Sequence, residues 1–287
     1  MLFRFYVVRS LELDRQTVGL HRWPRAARRA FIASKVRALA DIQRGRPGRL
    51  QVGPVSFTAR SALDVGSLQS CLSDVHNELI CPGILDAAAT PVIVDVGANV
   101  GQFTTALKAF VPGARILAFE PDPTVAAALA DNARNLGEVR TIAAAAGDSP
   151  GTLELYRHHV SLMSTLRPGA VETYDLENRV AVPVVRLDDA TAELGPVDLV
   201  KIDVEGFEIE VLRGATALLG RTRYLLIELS LGREDSTANL EVLAHIHHVR
   251  PRARIVRMGR PLGNPNAPIC QDVLIDLDPP VVSPIVP

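Results

Sequence analysis

Residues 92–103, Val-Ile-Val-Asp-Val-Gly-Ala-Asn-Val-Gly-Gln-Phe, constrain this chain more than any other stretch. Four apolar residues around one carboxylate read as a strand buried on both faces. Gly97 and Gly101 permit a tight turn, and helical spacing begins at Gln102. A buried strand that turns through glycines into a helix implies a parallel α/β sheet, with a ligand where the strand ends. The rest of the chain from residue 91 agrees. Short apolar runs at 92–96, 115–119, 139–143, 199–202 and 224–228 alternate with helical patterns over 102–110, 124–135 and 207–219. Extra strands are expected at 152–156 and 182–187, and an antiparallel hairpin of 253–258 with 272–277 closes the sheet. The fold class is therefore α/β, a doubly wound, mostly parallel sheet. Residues 1–90 read as a separate extension, made of a helix, a short hairpin about Gly53-Pro54 and a helix over 67–79, ahead of an α/β domain at 91–287.

The glycine loop limits the ligand. A dinucleotide fingerprint needs glycines at its first, third and sixth positions, and counted from Gly97 the later two are Asn99 and Gln102. That disfavours an NAD-dependent oxidoreductase, and the absence of a Lys-Ser/Thr pair after the glycines excludes a P-loop. Backbone amides at Gly97, Asn99 and Gly101, with the Asp95 carboxylate, suit a compact zwitterion whose carboxylate lies near a helix N-terminus. Nineteen residues past Gly101, the second strand ends in Phe119-Glu120-Pro121, where Glu120 can accept hydrogen bonds from both ribose hydroxyls. Beyond the third strand, Asp148 is placed to meet an exocyclic adenine amine. Amino-acid carboxylate, ribose and adenine together describe S-adenosylmethionine. The alternative is that Asp95 and Glu120 merely cap strand ends.

These residues resemble the FkbM family of S-adenosylmethionine-dependent methyltransferases. The resemblance rests on Asp95 to Gly101, Phe119-Glu120-Pro121, the stretch Ser161-Leu162-Met163-Ser164-Thr165-Leu166, Val184 to Asp188, Val200 to Glu208 and Leu226-Ile227-Glu228. It spans residues 91 to about 278, and the Lys-Ile-Asp-Val-Glu-Gly run is more specific than the first loop. It implies a Rossmann-like methyltransferase domain at 91–287 whose seven-stranded sheet has a reversed last strand, a methyl donor, and, as is usual in the family, a hydroxyl acceptor on a sugar, polyketide or glycolipid. Met163 interrupts the family's serine-rich stretch.

In Lys201-Ile202-Asp203-Val204-Glu205, strand alternation puts three charged side chains on one side. One reading is a satisfied ion pair. The other has Asp203 or Glu205 orient or deprotonate an acceptor hydroxyl while Lys201 holds the carboxylate in place. Glu228 ends the neighbouring strand and could add an oxygen ligand for a divalent ion, but no metal is assigned. His158 and His159 are alternative bases.

Charge divides the chain. Residues 1–50 carry 12 Lys and Arg against 3 Asp and Glu, a balance of +9 in a chain of net charge −1, so the remainder carries −10. Residues 23–40 read as a basic amphipathic helix with Ala27, Phe31, Ile32, Val36 and Leu39 on its apolar face. The favoured reading packs it on the acidic body of the protein or on a second copy. A non-catalytic donor-binding scaffold that docks a partner through this arm is the non-enzyme alternative. No nucleic-acid motif accompanies the arginines. Peripheral membrane contact and self-association stay open. No apolar run approaches the ~20 residues that span a bilayer, and Arg4 and Arg9 interrupt the first apolar stretch, so the expectation is a cytoplasmic protein acting on a small-molecule or glycan-type acceptor. The three cysteines, Cys71, Cys81 and Cys270, lack the spacing of a disulfide framework and are expected to be reduced.

Overall fold

A computed structural model describes residues 23–75, 80, 84–85, 90–157, 164–166, 178–230, 237–259, 262–264 and 267–278. His158, His159 and Cys81 lie outside these. The central sheet is built from β3 (Val92–Val96), β4 (Arg115–Phe119), β5 (Val139–Ile142), β9 (Val197–Ile202), β10 (Thr222–Ser230), β11 (Arg254–Met258) and β13 (Ala267–Asp276), in the order β11-β13-β10-β9-β3-β4-β5. The first five of these strands run parallel, and β13 lies antiparallel to both β10 and β11. The sheet thus has seven strands with the last reversed, and the short β12 (Leu262–Asn264) adds to the outer edge of β13. From β3 the chain winds outward through β4 to β5, then crosses back to β9 on the other side. This reversal opens a crevice at the carboxyl ends of β3 and β9.

A second sheet inserts between β5 and β9. Its strands are β6 (Ala145–Ala146), β7 (Gly151–Tyr156) and β8 (Arg179–Val185), in the order β6-β8-β7. Helices α3 (Gln102–Phe110) and α4 (Pro123–Ala133) follow β3 and β4 as the periodicity predicts. The helix expected over 207–219 is instead two, α6 (Glu208–Arg213) and α7 (Thr216–Gly220). The break is at Gly214, where a β-carbon would sit 1.9 Å from the Gly147 carbonyl oxygen, so the chain must turn to admit the end of β6. Helices α5 (Leu187–Ala190) and α8 (Thr237–Val249) complete this part of the fold. Ile209, Leu212, Leu218, Val242 and Ile246 pack against Val94, Val200 and Ile227 on one face of the sheet.

The other face is covered by the N-terminal extension. It comprises α1 (Arg25–Gln43), the hairpin β1 (Gly48–Val52) and β2 (Val55–Ala59), and α2 (Ala62–Ser73). Helix α2 starts five residues before the expected position because Ser61 and Asp64 form a capping box, each side chain bonded to the other's backbone N–H. Phe31, Leu50, Phe57, Leu68 and Leu72 join Ile93, Leu107, Ile116 and Leu199 in one core. Complete burial of each such side chain contributes about 1.5–3 kcal/mol, so the extension is integral to the sheet's stability. Trp23 stacks on Phe110 at 5.5 Å. The Asn132 side chain donates to the carbonyls of Thr58 and Val100 and accepts from the Thr58 N–H, tying the hairpin to the glycine loop.

The apolar face expected for the basic helix is corrected by this packing. Helix α1 buries Phe31, Ser34, Lys35 and Ala38, while Ile32 and Val36 are 37% and 63% exposed. The physical reason is close approach to the hairpin. A β-carbon on Gly48 would lie 2.4 Å from the Ala38 carbonyl oxygen, and the Ser34 hydroxyl accepts the Gln51 N–H at 2.9 Å. Small residues fit that contact and branched ones do not. The helix therefore docks through a mostly neutral face and leaves Arg25, Arg29 and Arg37 exposed.

Candidate functional site

A cleft of about 670 Å³, open to solvent, lies at the crevice. Its walls come from the ends of β3, β4 and β9 and from the inserted sheet. Gly97 adopts φ +80°, and a β-carbon there would lie 1.8 Å from the Asp203 carbonyl oxygen. Only glycine lets these two strand ends touch. The Gly97 and Ala98 amides donate to the Phe119 carbonyl, Asn99 takes a left-handed φ of +50°, and Gly101 (φ +92°) caps α3.

Folding the loop onto β4 fixes Glu120. Its two carboxylate oxygens accept the Asn99 N–H at 3.0 Å and the Asp122 N–H at 2.9 Å, leaving further lone pairs for a ligand. Burial pushes its pKa up to about 7 against the pull of those amides. Asp122, two residues on, caps α4 through the Thr124 and Val125 amides and receives Arg157 through Nε and Nη2. Burial opposes ionisation of Asp122, yet Arg157 and the amides hold it below the ordinary carboxylate range. This bidentate pair joins the inserted sheet to the end of β4. Sequence reasoning missed both partners. Asp122-Pro123-Thr124 carries a helix-start signal, whereas nothing local marks Arg157.

Three of the residues expected to contact the donor do not line this cleft. Asp95 is fully buried beneath the loop. Its Oδ2 accepts the Thr104 hydroxyl at 2.7 Å, and Oδ1 lies 3.8 Å from Lys201 Nζ with no hydrogen-bond partner among the described residues. Burial raises the Asp95 pKa, against Lys201 and Thr104. Gly101 shapes the helix start, and neither it nor Asp95 lines the cleft. Asp148 stands exposed two residues past Ala146, where that stretch of the lining ends. Gly97, Asn99 and Glu120 do line it.

Across the cleft, Lys201 Nζ donates to Asp203 Oδ2 at 3.0 Å and lies 5.5 Å from the centre of the Phe103 ring. Burial would favour losing the lysine proton, but Asp203 and Asp95 outweigh it and hold the ammonium above the usual lysine range. Asp203 and Glu205 face the cleft, and oxygens of Asp203, Glu205 and Glu228 lie within 4.8 Å of one another. Glu205 is held at a left-handed φ of +52°, followed by Gly206 at +95°. The buried Thr165 hydroxyl donates to the Glu205 carbonyl at 2.8 Å. Burial and then Asp203 and Glu205 push the Glu228 pKa up to about 9. Asp272, paired with Glu228 across β10 and β13, is raised to about 6 by burial and Asp203.

Crowding of like charges falls on Glu228 and Asp272, the two carboxyls here whose proton affinity is raised. The trio offers oxygens that suit a hard cation. Lys201 already compensates Asp203, however, and the cluster carries no metal assignment. The ion pair and the cleft-facing carboxylates are therefore one constellation, in which Lys201 fixes Asp203 while Glu205 lines the cleft.

A family model described as the methyltransferase FkbM domain matches residues 95–251. Methyltransferase sdnD of Sordaria araneosa is 35% identical over 199 residues, covering 58% of this chain and 75% of that protein. The 2-O-methyltransferase NoeI of Sinorhizobium fredii is 28% identical over 178 residues, covering 54% and 69%. The 31-O-demethyl-FK506 methyltransferase FkbM of Streptomyces tacrolimicus is 32% identical over 152 residues, covering 43% and 58%.

Proposed function

Because this chain belongs to the methyltransferase FkbM domain family, we propose that it moves a methyl group from S-adenosylmethionine to a hydroxyl oxygen of a sugar, polyketide or glycolipid-type acceptor. The observation that carries the reading is one cleft with two chemically different walls, Glu120 on one side and Asp203 with Glu205 on the other. Relatives whose names specify oxygen as the methyl acceptor support the choice of a hydroxyl.

The residues present fit that donor. A buried carboxylate, oriented by two amides and lining the cleft, is the group that a ribose diol needs. Phe119, Ala144, Ala146, Leu155 and Phe207 give the apolar surface that an adenine ring requires. When bound, the donor supplies an electrophilic methyl on a sulfonium. The chain's own residues do the rest. Glu120 and the Asn99 loop bind and orient. Asp203 or Glu205 accepts the acceptor's hydroxyl proton, so the proton leaves that oxygen for a carboxylate as the oxygen gains its methyl. Lys201 keeps Asp203 turned toward the cleft rim and lowers the cost of its charge. Holding both reactants in one geometry provides the larger share of the rate.

Two measurements test this. Calorimetry should show S-adenosylhomocysteine binding and NAD ignored; tight NAD binding overturns the donor assignment. Incubation with S-adenosylmethionine and acceptor extracts should yield a product heavier by about 14 daltons, the mass of an added CH₂, and its fragmentation should place the methyl on oxygen. A methyl on nitrogen or carbon overturns the acceptor assignment alone.

A further inference from the structure

The arginines of α1 are left unused by the methyl-transfer reading. Because the helix buries Phe31, Ser34, Lys35 and Ala38, its opposite side faces solvent. That side carries Arg25, Arg29, Ile32 and Val36, which lie on one line along the helix, with Arg37 exposed beside them. Asp41, the only carboxylate in α1, lies near its end, 3.9 Å from Arg44. The exposed stripe is therefore purely basic and apolar. We infer that it docks the protein on an anionic lipid bilayer.

The residue types argue for that occupant. Guanidinium groups pair with lipid phosphates, and Ile32 and Val36 between them can enter the acyl boundary, so both halves of the stripe are satisfied at once. A second copy laid on the same face would bring arginine against arginine. A polynucleotide would meet the charges but set the two aliphatic side chains against phosphates, and no aromatic residue stands on this face to stack a base. Packing in the core fixes the helix before any membrane is met, so docking carries little ordering cost. With few charges and two aliphatics, attachment is reversible and sensitive to salt.

Co-sedimentation of the full chain with neutral phosphatidylcholine vesicles, and with vesicles made one-third phosphatidylglycerol, tests the proposal at low and raised salt. The protein should pellet with the anionic vesicles alone and be released by salt. Arg25→Glu combined with Arg29→Glu should reduce binding by about tenfold or more, since each basic residue near an anionic surface is worth about fivefold. Ile32→Ser combined with Val36→Ser should reduce it several-fold. Arg179→Glu, an exposed charge change on the inserted sheet, should leave it unchanged. All these side chains are exposed and none lines the cleft, so S-adenosylhomocysteine binding in each variant reports intact folding. No association with anionic vesicles overturns the proposal, as does equal loss in Arg179→Glu. Preferred retention of duplex nucleic acid would overturn it too, and so would a dimer in light scattering that the Ile32→Ser, Val36→Ser variant dissolves.

Discussion

The two walls of the cleft are held by different means. On the β4 side, Glu120 is positioned by main-chain amides of Asn99 and Asp122, whose own places follow from the glycine turn and a helix cap. On the β9 side, Asp203, Glu205 and Glu228 are positioned by side chains: the Lys201 ammonium, the Thr165 hydroxyl and the Cys270 thiol. A backbone cradle resists substitution of its neighbours, because every residue type except proline carries the same N–H. A side-chain cradle fails when one member is replaced. The lesson is that the binding wall should tolerate mutation around it, while the wall assigned to proton transfer should not.

The sharpest way to break this contrast is chemical. Asp203→Asn or Glu205→Gln should lower turnover of the identified acceptor by about 10²–10⁴ with little change in S-adenosylhomocysteine affinity, the size expected of positioned proton transfer. Lys201→Arg should also impair turnover, since a planar fork cannot take the place of a point ammonium between Asp95 and Asp203. If turnover collapses in EDTA and returns with Mg²⁺, the carboxylates serve as ligands instead of bases. On the other wall, Glu120→Ala should weaken S-adenosylhomocysteine by about 1.5–3 kcal/mol in calorimetry while the chain stays folded. Loss of folding would make Glu120 a structural residue.

The raised pKa of Glu120 gives a smaller effect with a definite sign. The ribose contact needs the carboxylate, and the group is half protonated near pH 7, so donor affinity should fall by up to about tenfold for each pH unit below 7. Glu120→Gln should flatten that profile. The same shift acts in the opposite direction on the ligand-free fold. The folded chain binds a proton that the unfolded chain has released, so this group's contribution to stability is fully present below its unfolded pKa, about 4.5, and is lost as pH rises through about 7. Smallest of all, Thr165→Val should lower turnover a few-fold by freeing the left-handed Glu205, and Thr165→Ser should restore it. An equal loss in the serine variant would show that packing at Thr165 matters more than its hydroxyl.

Much of the fold was legible because its signals are local. The buried run 92–96, the glycines at 97 and 101 and the helix over 102–110 follow from a few neighbouring residues, and the structure has β3 and α3 at those boundaries. The same local rules found Glu120 at a strand end and set Lys201, Asp203 and Glu205 together. Local rules failed where the decision belonged to a distant contact. Periodicity shows that α1 is a helix with several apolar residues, yet only the approach of the hairpin at Gly48 determines that Ser34 and Ala38 turn inward while Val36 turns out. Nothing near Gly214 shows that the helix must break for Gly147.

The site divides in the same way. Residue types and strand ends are written into the sequence, and they are enough to place Glu120 at one strand end and an acidic cluster at another. The pairings Asp95 with Lys201, Asp122 with Arg157, Thr165 with Glu205 and Glu228 with Asp272 join residues dozens of positions apart. Which carboxylate keeps its charge depends on burial and on those partners, quantities that exist only once the sheet has brought the strand ends together.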